Sequence, residues 1–159
     1  MSSDGSTVLF GALPAQFKFS ASDKRLLARF ARKLSANVAQ GKHFECLITD
    51  DRELHRLNKS FLQHDYPTDV LSFPAFDQVF TLGECAISVE RADDQRRQFQ
   101  HSLMAEIEIL MLHGVLHLMG FDHETDSGAM ALAEQHWRTR LGLPSSLIHR
   151  SHTADSASL

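Results

Sequence analysis

Three histidines stand at a spacing that lets their imidazoles meet. They lie in the run His113-Gly114-Val115-Leu116-His117-Leu118-Met119-Gly120-Phe121-Asp122-His123. His113 and His117 are four residues apart, so on a helix they share one face, a single turn from each other. Gly120 follows three residues after His117, and glycine readily takes the left-handed conformation that ends a helix and reverses the chain. His123 lies just past that reversal, where it can swing back toward the first pair. Three neutral imidazoles, with no fourth protein ligand in the run, are the pattern of a zinc site that keeps one position open. Such an ion polarises a substrate oxygen and lowers the pKa of a water to about 7, so hydrolysis is the reaction class to expect. Imidazole ligands also accept nickel, copper or iron.

The spacing H-x-x-x-H-x-x-G-x-x-H is shared with the metzincin peptidases, whose first His is followed at once by a Glu that acts as general base. Here that residue is Gly114, so the group that peptide hydrolysis uses is missing. A glycine inside a helix costs about 1 kcal/mol relative to alanine. It is tolerated where a strand packs closely on the helix, or where a bulky substrate approaches beside the metal. A base must then come from elsewhere, and the candidates are Asp122, Asp69 and Glu84. Asp122 adjoins His123 and has an alternative role in orienting that ligand. Asp69 has an alternative role in shaping the segment after Pro67, and Glu84 one as a strand-end charge. The remaining histidines (43, 55, 64, 101, 136, 149 and 152) show no ligand spacing and are expected at the surface or in the core.

The elements that must carry these groups follow from hydrophobic periodicity. A long helix from Ser102 to Met119, apolar nearly all round, is expected to be buried on most sides. Burying two histidines in such a helix requires partners for them. Thr7 to Phe10 reads as a short strand, and Gly11 to Phe19 is ambiguous. A first helix is expected from an N-cap at Ser22 to Val38, with Leu26, Leu27, Phe30, Leu34 and Val38 on one side. Its other side carries Arg25, Arg29, Arg32 and Lys33, either simply solvated or available to RNA phosphates. Phe44 to Thr49 reads as a strand, and Asp50-Asp51 begins a helix that turns Leu54, Leu57 and Phe61 inward. Pro67 and Pro74 bracket a strand that cannot extend far. Asp77 to Thr81 reads as a loop or weak hairpin arm, Gly83 to Glu90 as a half-buried strand, and Arg91 to Gln100 as helix-compatible. Asp126-Ser127 is expected to cap a last helix that carries Met130, Trp137 and Leu141 and stops at Gly142 and Pro144.

With 159 residues, 43% hydrophobic and 23% charged, the chain has the size and balance of one globular domain with a real core. That domain is expected over residues 1–144, with 145–159 as a disordered Ser-, His- and Ala-rich tail. Neither an internal repeat nor a boundary between two domains is evident. No apolar run approaches the roughly 20 residues of a membrane span, and the first residues lack a secretory pattern. Cys46 and Cys85 suggest no disulfide framework and are expected as buried thiols in a reducing compartment. The net charge of -4 argues against coating nucleic acid by bulk charge, yet leaves room for a local basic surface. Between Asp23 and Lys42 the chain places Lys24, Arg25, Arg29, Arg32, Lys33 and Lys42 against a single acid.

Four motifs, taken in order, add a resemblance to these readings. They are Leu57-Asn58, the block Pro67-Thr68-Asp69-Val70-Leu71-Ser72-Phe73-Pro74, Leu82-Gly83-Glu84, and His113 through His123. In them the chain resembles the YbeY family of bacterial zinc-dependent endoribonucleases and ribosomal RNA maturation factors. The resemblance implies an α/β (α+β) fold: one compact domain, a small mixed sheet of about four strands, and about five helices including the His-triad helix. It implies one zinc ion per chain on His113, His117 and His123, and cleavage of single-stranded RNA. It also implies a cytoplasmic role in maturation of small-subunit (16S) ribosomal RNA, with the small ribosomal subunit and assembly factors as partners.

Two departures from the family pattern bear on this. Family members carry an Arg in the short loop before Pro-Thr-Asp, placed to hold a phosphate, and here Leu62 stands there, followed by Gln63 and His64. The Gly-Asp of the later strand is Gly83-Glu84, which keeps the charge. Beside the nuclease stands a ribosome- or RNA-binding assembly factor whose zinc is mainly structural, which Leu62 favours. A metzincin-like metallopeptidase is the third reading, which Gly114 opposes.

Overall fold

The computed structural model describes residues 7–61, 68–122 and 127–144, which form a four-stranded mixed sheet and five helices. Strands β1 (Thr7–Phe10), β2 (His43–Thr49) and β4 (Thr81–Ser88) run parallel. Strand β3 (Val70–Pro74) pairs antiparallel with β4 and forms the edge, giving the order β1-β2-β4-β3. Helix α1 (Ala21–Asn37) crosses from β1 to β2, and α2 (Asp51–Phe61) follows β2. After β4 come α3 (Val89–Gln98), α4 (Leu103–Leu118) and α5 (Ala129–Leu141). This is the compact α/β (α+β) fold with a small mixed sheet and about five helices that the resemblance implies.

Strand alternation gives the sheet two unequal faces. Cys46, Ile48, Cys85 and Ile87 belong to the main core with Leu27, Phe30 and Leu34 of α1 and Ile107, Met111 and Val115 of α4. On the second face Leu71 and Ala86, with Leu47 and Phe73, meet Leu54 of α2. Cys46 and Cys85 are in-register neighbours on β2 and β4, both buried and both free thiols.

Helix α4 lies at the centre of the main core. Ile107, Ile109, Leu110, Met111, Leu112, Val115, Leu116 and Leu118 are all buried on it, each such side chain contributing about 1.5–3 kcal/mol. Over residues 110–118 only His113 and His117 are left partly open. Two side-chain contacts tie the helix to the sheet edge. Ser72 Oγ donates to the Gly114 carbonyl at 3.1 Å, and Gln78 Nε2 donates to the carbonyls of both Leu118 (2.9 Å) and Leu82 (2.8 Å). Gly120 has φ +102°, the left-handed conformation expected for it, and the Gly120 and Phe121 amides close the helix end on His117 and Leu116.

Several boundaries differ from expectation for local reasons. The α1 cap is Ser20, not Ser22, because Ser20 Oγ accepts from the Asp23 amide (3.0 Å) and the Asp23 carboxylate accepts from the Ser20 amide (3.1 Å). Strand β4 ends at Ser88 and not at Glu90, because Ser88 Oγ accepts from the Arg91 amide and starts α3 at Val89. Phe61 does not turn inward: it is 65% exposed and meets Phe73 edge-on at 6.1 Å, while Asn58 takes the buried position. Helix α5 begins after left-handed Gly128 with no side-chain cap. Asp126, proposed as part of its cap, and the segment 145–159 fall outside the described residues.

Candidate functional site

The helical register of α4 brings His113 and His117 together. Their ring centroids are 4.7 Å apart with planes at 69°, and the two Nε2 atoms face each other at 3.1 Å. Two nitrogens each about 2.0–2.1 Å from a tetrahedral zinc stand about 3.3 Å apart. The observed separation therefore fits a shared ion without a shift of the helix. His123, the third histidine of the motif, falls outside the described residues. Among the described residues no three His, Cys, Asp or Glu side chains converge as a metal cluster.

A residue that sequence reasoning missed meets this pair. Glu134 of α5 is 3% exposed, and its Oε1 contacts His113 Nδ1. The contact spans 21 positions of the chain and is an ion pair when the imidazole is protonated. A signal for Glu134 exists in the sequence. Met130, Glu134 and Arg138, at i, i+4 and i+8, are the buried positions of α5. Charged residues at core spacing on the helix that follows a histidine motif mark a buried polar contact, since ionised groups are almost never buried unpaired.

Gly114 faces the sheet. A Cβ built there would lie 3.1 Å from Cys85 Cβ, 3.3 Å from Cys85 Sγ and 3.4 Å from Val70 Cγ2. Of the two accounts of this glycine, close packing of helix on strand is the one the structure carries. A Glu in this place would meet β3 and β4, so the metzincin base has no room at Gly114.

The three carboxylates considered as bases have different surroundings. Asp122 is half-buried in the turn after Gly120, next in the chain to His123. Asp69, just before β3, accepts a hydrogen bond from Gln95 Nε2 at 2.9 Å, and its carbonyl accepts from the Ser88 amide at 2.9 Å. It thus joins the start of β3 to α3 and the end of β4, a structural part. Glu84 is exposed on the face of β4 opposite Cys85, in register with Glu45 of β2. There it lines a groove of about 550 Å³ with His43, Phe73 and Thr81. It is not brought to the histidine pair, because Cys85 and not Glu84 faces Gly114.

The basic side of α1 is open to solvent as the pattern implied. Lys24, Arg25, Arg29, Arg32 and Lys33 are all exposed. Leu62, Gln63 and His64 lie outside the described residues. No described helix is long and apolar enough to cross a membrane.

Fold and site together define a small α/β protein that presents paired imidazoles from a buried helix, one of them in contact with a carboxylate on the next helix. A family model described as Endoribonuclease YbeY matches residues 15–141. The chain is 52% identical over 149 residues to an Endoribonuclease YbeY of Solibacter usitatus, covering 94% of this chain and 97% of that one. It is 45% identical over 116 residues to another of Nautilia profundicola, covering 72% and 84%. Among solved structures, the solution structure of TM1509 from Thermotoga maritima matches with a TM-score of 0.53 and 26% identity, covering 88% of this chain and 95% of that one. The chain belongs to the YbeY endoribonuclease family.

Proposed function

We propose that the chain is a zinc-dependent endoribonuclease that cuts single-stranded RNA and acts in maturation of small-subunit ribosomal RNA. The observation that carries the metal part is the 3.1 Å approach of the His113 and His117 Nε2 atoms on a helix otherwise buried along that half. The family membership carries the ribonuclease part, since the relatives it matches are named endoribonucleases. Cytoplasmic location and partnership with the small ribosomal subunit and its assembly factors belong to the same reading.

In this reading His113, His117 and His123 hold the ion. Zinc with an open position supplies a Lewis acid toward a phosphoryl oxygen and lowers the pKa of water. The protein's own side chains do the rest. Asp122, half-buried and next in the chain to His123, is the carboxylate this reading assigns to accept a proton. Asp69, occupied by Gln95 and holding β3 in place, acts as a scaffold. The exposed cations of α1 track the phosphate backbone and give the sequence-independent part of RNA binding.

The test is zinc content together with cleavage of a single-stranded ribosomal RNA fragment by the purified full chain. His117→Ala is expected to lose both bound zinc and cleavage, and Glu84→Gln to keep zinc at the wild-type level. Undiminished cleavage by His117→Ala overturns the site. Collapse of the fold on chelation would instead give zinc a structural role in an RNA-binding assembly factor.

A further inference from the structure

Glu134 is an expensive residue to place where it is. An ionised carboxylate removed from water is costly unless it is paired, yet Glu134 is 3% exposed and sits on the same buried stripe of α5 as Met130. What it meets is the Nδ1 atom of His113. Where the carboxylate oxygen accepts in this contact, the shared proton belongs to Nδ1. A neutral imidazole protonated at Nδ1 has its lone pair on Nε2, and His113 Nε2 is the atom that faces His117 Nε2 at 3.1 Å.

Other roles for Glu134 fail on geometry. It cannot be a ligand beside Nε2, because its oxygen lies on the Nδ1 side of the same ring. That position, and its burial, also remove it from any substrate. A core ion pair of no functional consequence would not require the facing Nε2 atoms to sit at ligand spacing.

We propose that Glu134 is the positioning residue of the site: from α5 it fixes the tautomer and ring plane of His113 so that Nε2 presents its lone pair toward His117. This rests on the reading that the pair holds zinc, and it gives α5 a part in metal affinity. Carboxylates that hold a metal-ligating histidine in this way typically raise metal affinity by about 10–100-fold.

The experiment uses the full chain and the variants Glu134→Ala and Glu134→Gln. Zinc affinity is measured by competition with a chromophoric chelator, the His113 tautomer of the zinc-free protein by long-range ¹H–¹⁵N correlation, and folding by circular dichroism. The wild type is expected to show His113 protonated at Nδ1. Glu134→Ala should bind zinc about 10–100-fold more weakly and lose the tautomer preference. Glu134→Gln keeps an oxygen acceptor of the same shape, so it should fall between. A wild-type His113 protonated at Nε2 overturns the proposal by itself, whether or not any variant folds. So does a folded Glu134→Ala whose zinc affinity and tautomer match the wild type. If the wild type binds no zinc, the metal reading falls, and the tautomer measurement still decides what Glu134 does to His113.

Discussion

Gly114→Ala sets two opposed effects of similar size against each other, and the structure says which wins. Alanine in place of a mid-helix glycine gains about 1 kcal/mol of helix propensity. Against it stands the added methyl, which would lie 3.1 Å from Cys85 Cβ and 3.3 Å from Cys85 Sγ. Cys85 Cβ cannot rotate away, being fixed to a strand that pairs with β2 on one side and β3 on the other. The helix cannot easily rise, because Ser72 Oγ holds the Gly114 carbonyl at 3.1 Å. Overpacking of this kind costs about 1–3 kcal/mol. The expected result is a net destabilisation of about 1 kcal/mol, or a fall in Tm of about 2–4 °C for a chain of this size. Denaturant titration measures it, with an unchanged m-value showing that the unfolded state is not the cause. In a Cys85→Ala background, which removes the Sγ contact and leaves the Cβ, the penalty should shrink but persist. If Gly114→Ala is instead more stable than the wild type, the helix preference is unopposed and the close approach of α4 to β4 is not real.

Two further outcomes follow from ionisable groups. Burial raises the Glu108 carboxyl above its ordinary value of 4.5, with Lys33 partly opposing the rise. The folded protein therefore holds this proton more tightly than the unfolded chain. The associated stability is full below the unfolded pKa and is lost as pH rises through the folded one. Glu108→Gln should match the wild type near pH 4 and become the more stable of the two toward neutrality, read as midpoints of denaturation across pH; a pH-independent difference would refute this. The hydrogen bond with the Cys85 thiol, and after it burial, raise the Cys46 thiol well above its usual value. In the native protein both buried cysteines should resist a thiol-labelling disulfide reagent at pH 8, reacting only at the rate of unfolding. Rapid stoichiometric labelling of the folded chain would show that the strands open there.

The element order and the histidine pair were readable from the sequence because each rests on local periodicity. The long apolar pattern from Ser102 to Met119 predicts α4 to within a residue at each end, and spacing of four on a helix places His113 beside His117. Boundaries set by one hydrogen bond were not readable. Ser20 and Ser22 are equally good caps by type, and only the reciprocal contact with Asp23 selects Ser20. Phe61 misled because its spacing after Leu54 and Leu57 is helical, while Asn58 takes the buried place beside Leu54 and Phe61 stays exposed against the Phe73 ring. Glu84 and Glu134 exchanged places for a tertiary reason. Glu84 is near the motifs in sequence but on the far side of β4, whereas Glu134 is remote in sequence and brought back by the reversal after α4.

That exchange also explains how the site is coupled to the fold. A pair of histidines on an exposed helix would be free to choose tautomers and rotamers, and would bind a metal only after ordering them. Here both ends of the arrangement are held from outside α4. From below, Cys85 and Val70 pack on Gly114 and Ser72 pins its carbonyl, which sets the height of the helix over the sheet. From the side, Glu134 meets Nδ1 of His113 and leaves Nε2 facing His117. The first support is part of the main core, so disturbing it lowers stability and shifts the pair together. The second comes from α5, which packs on the main core through Met130 and reaches His113 through Glu134, so on the proposed reading removing the carboxylate changes the imidazole's orientation while the apolar contacts of α5 remain. Orientation of the imidazoles and stability of the fold are therefore separable by substitution at α5 and not by substitution beneath α4.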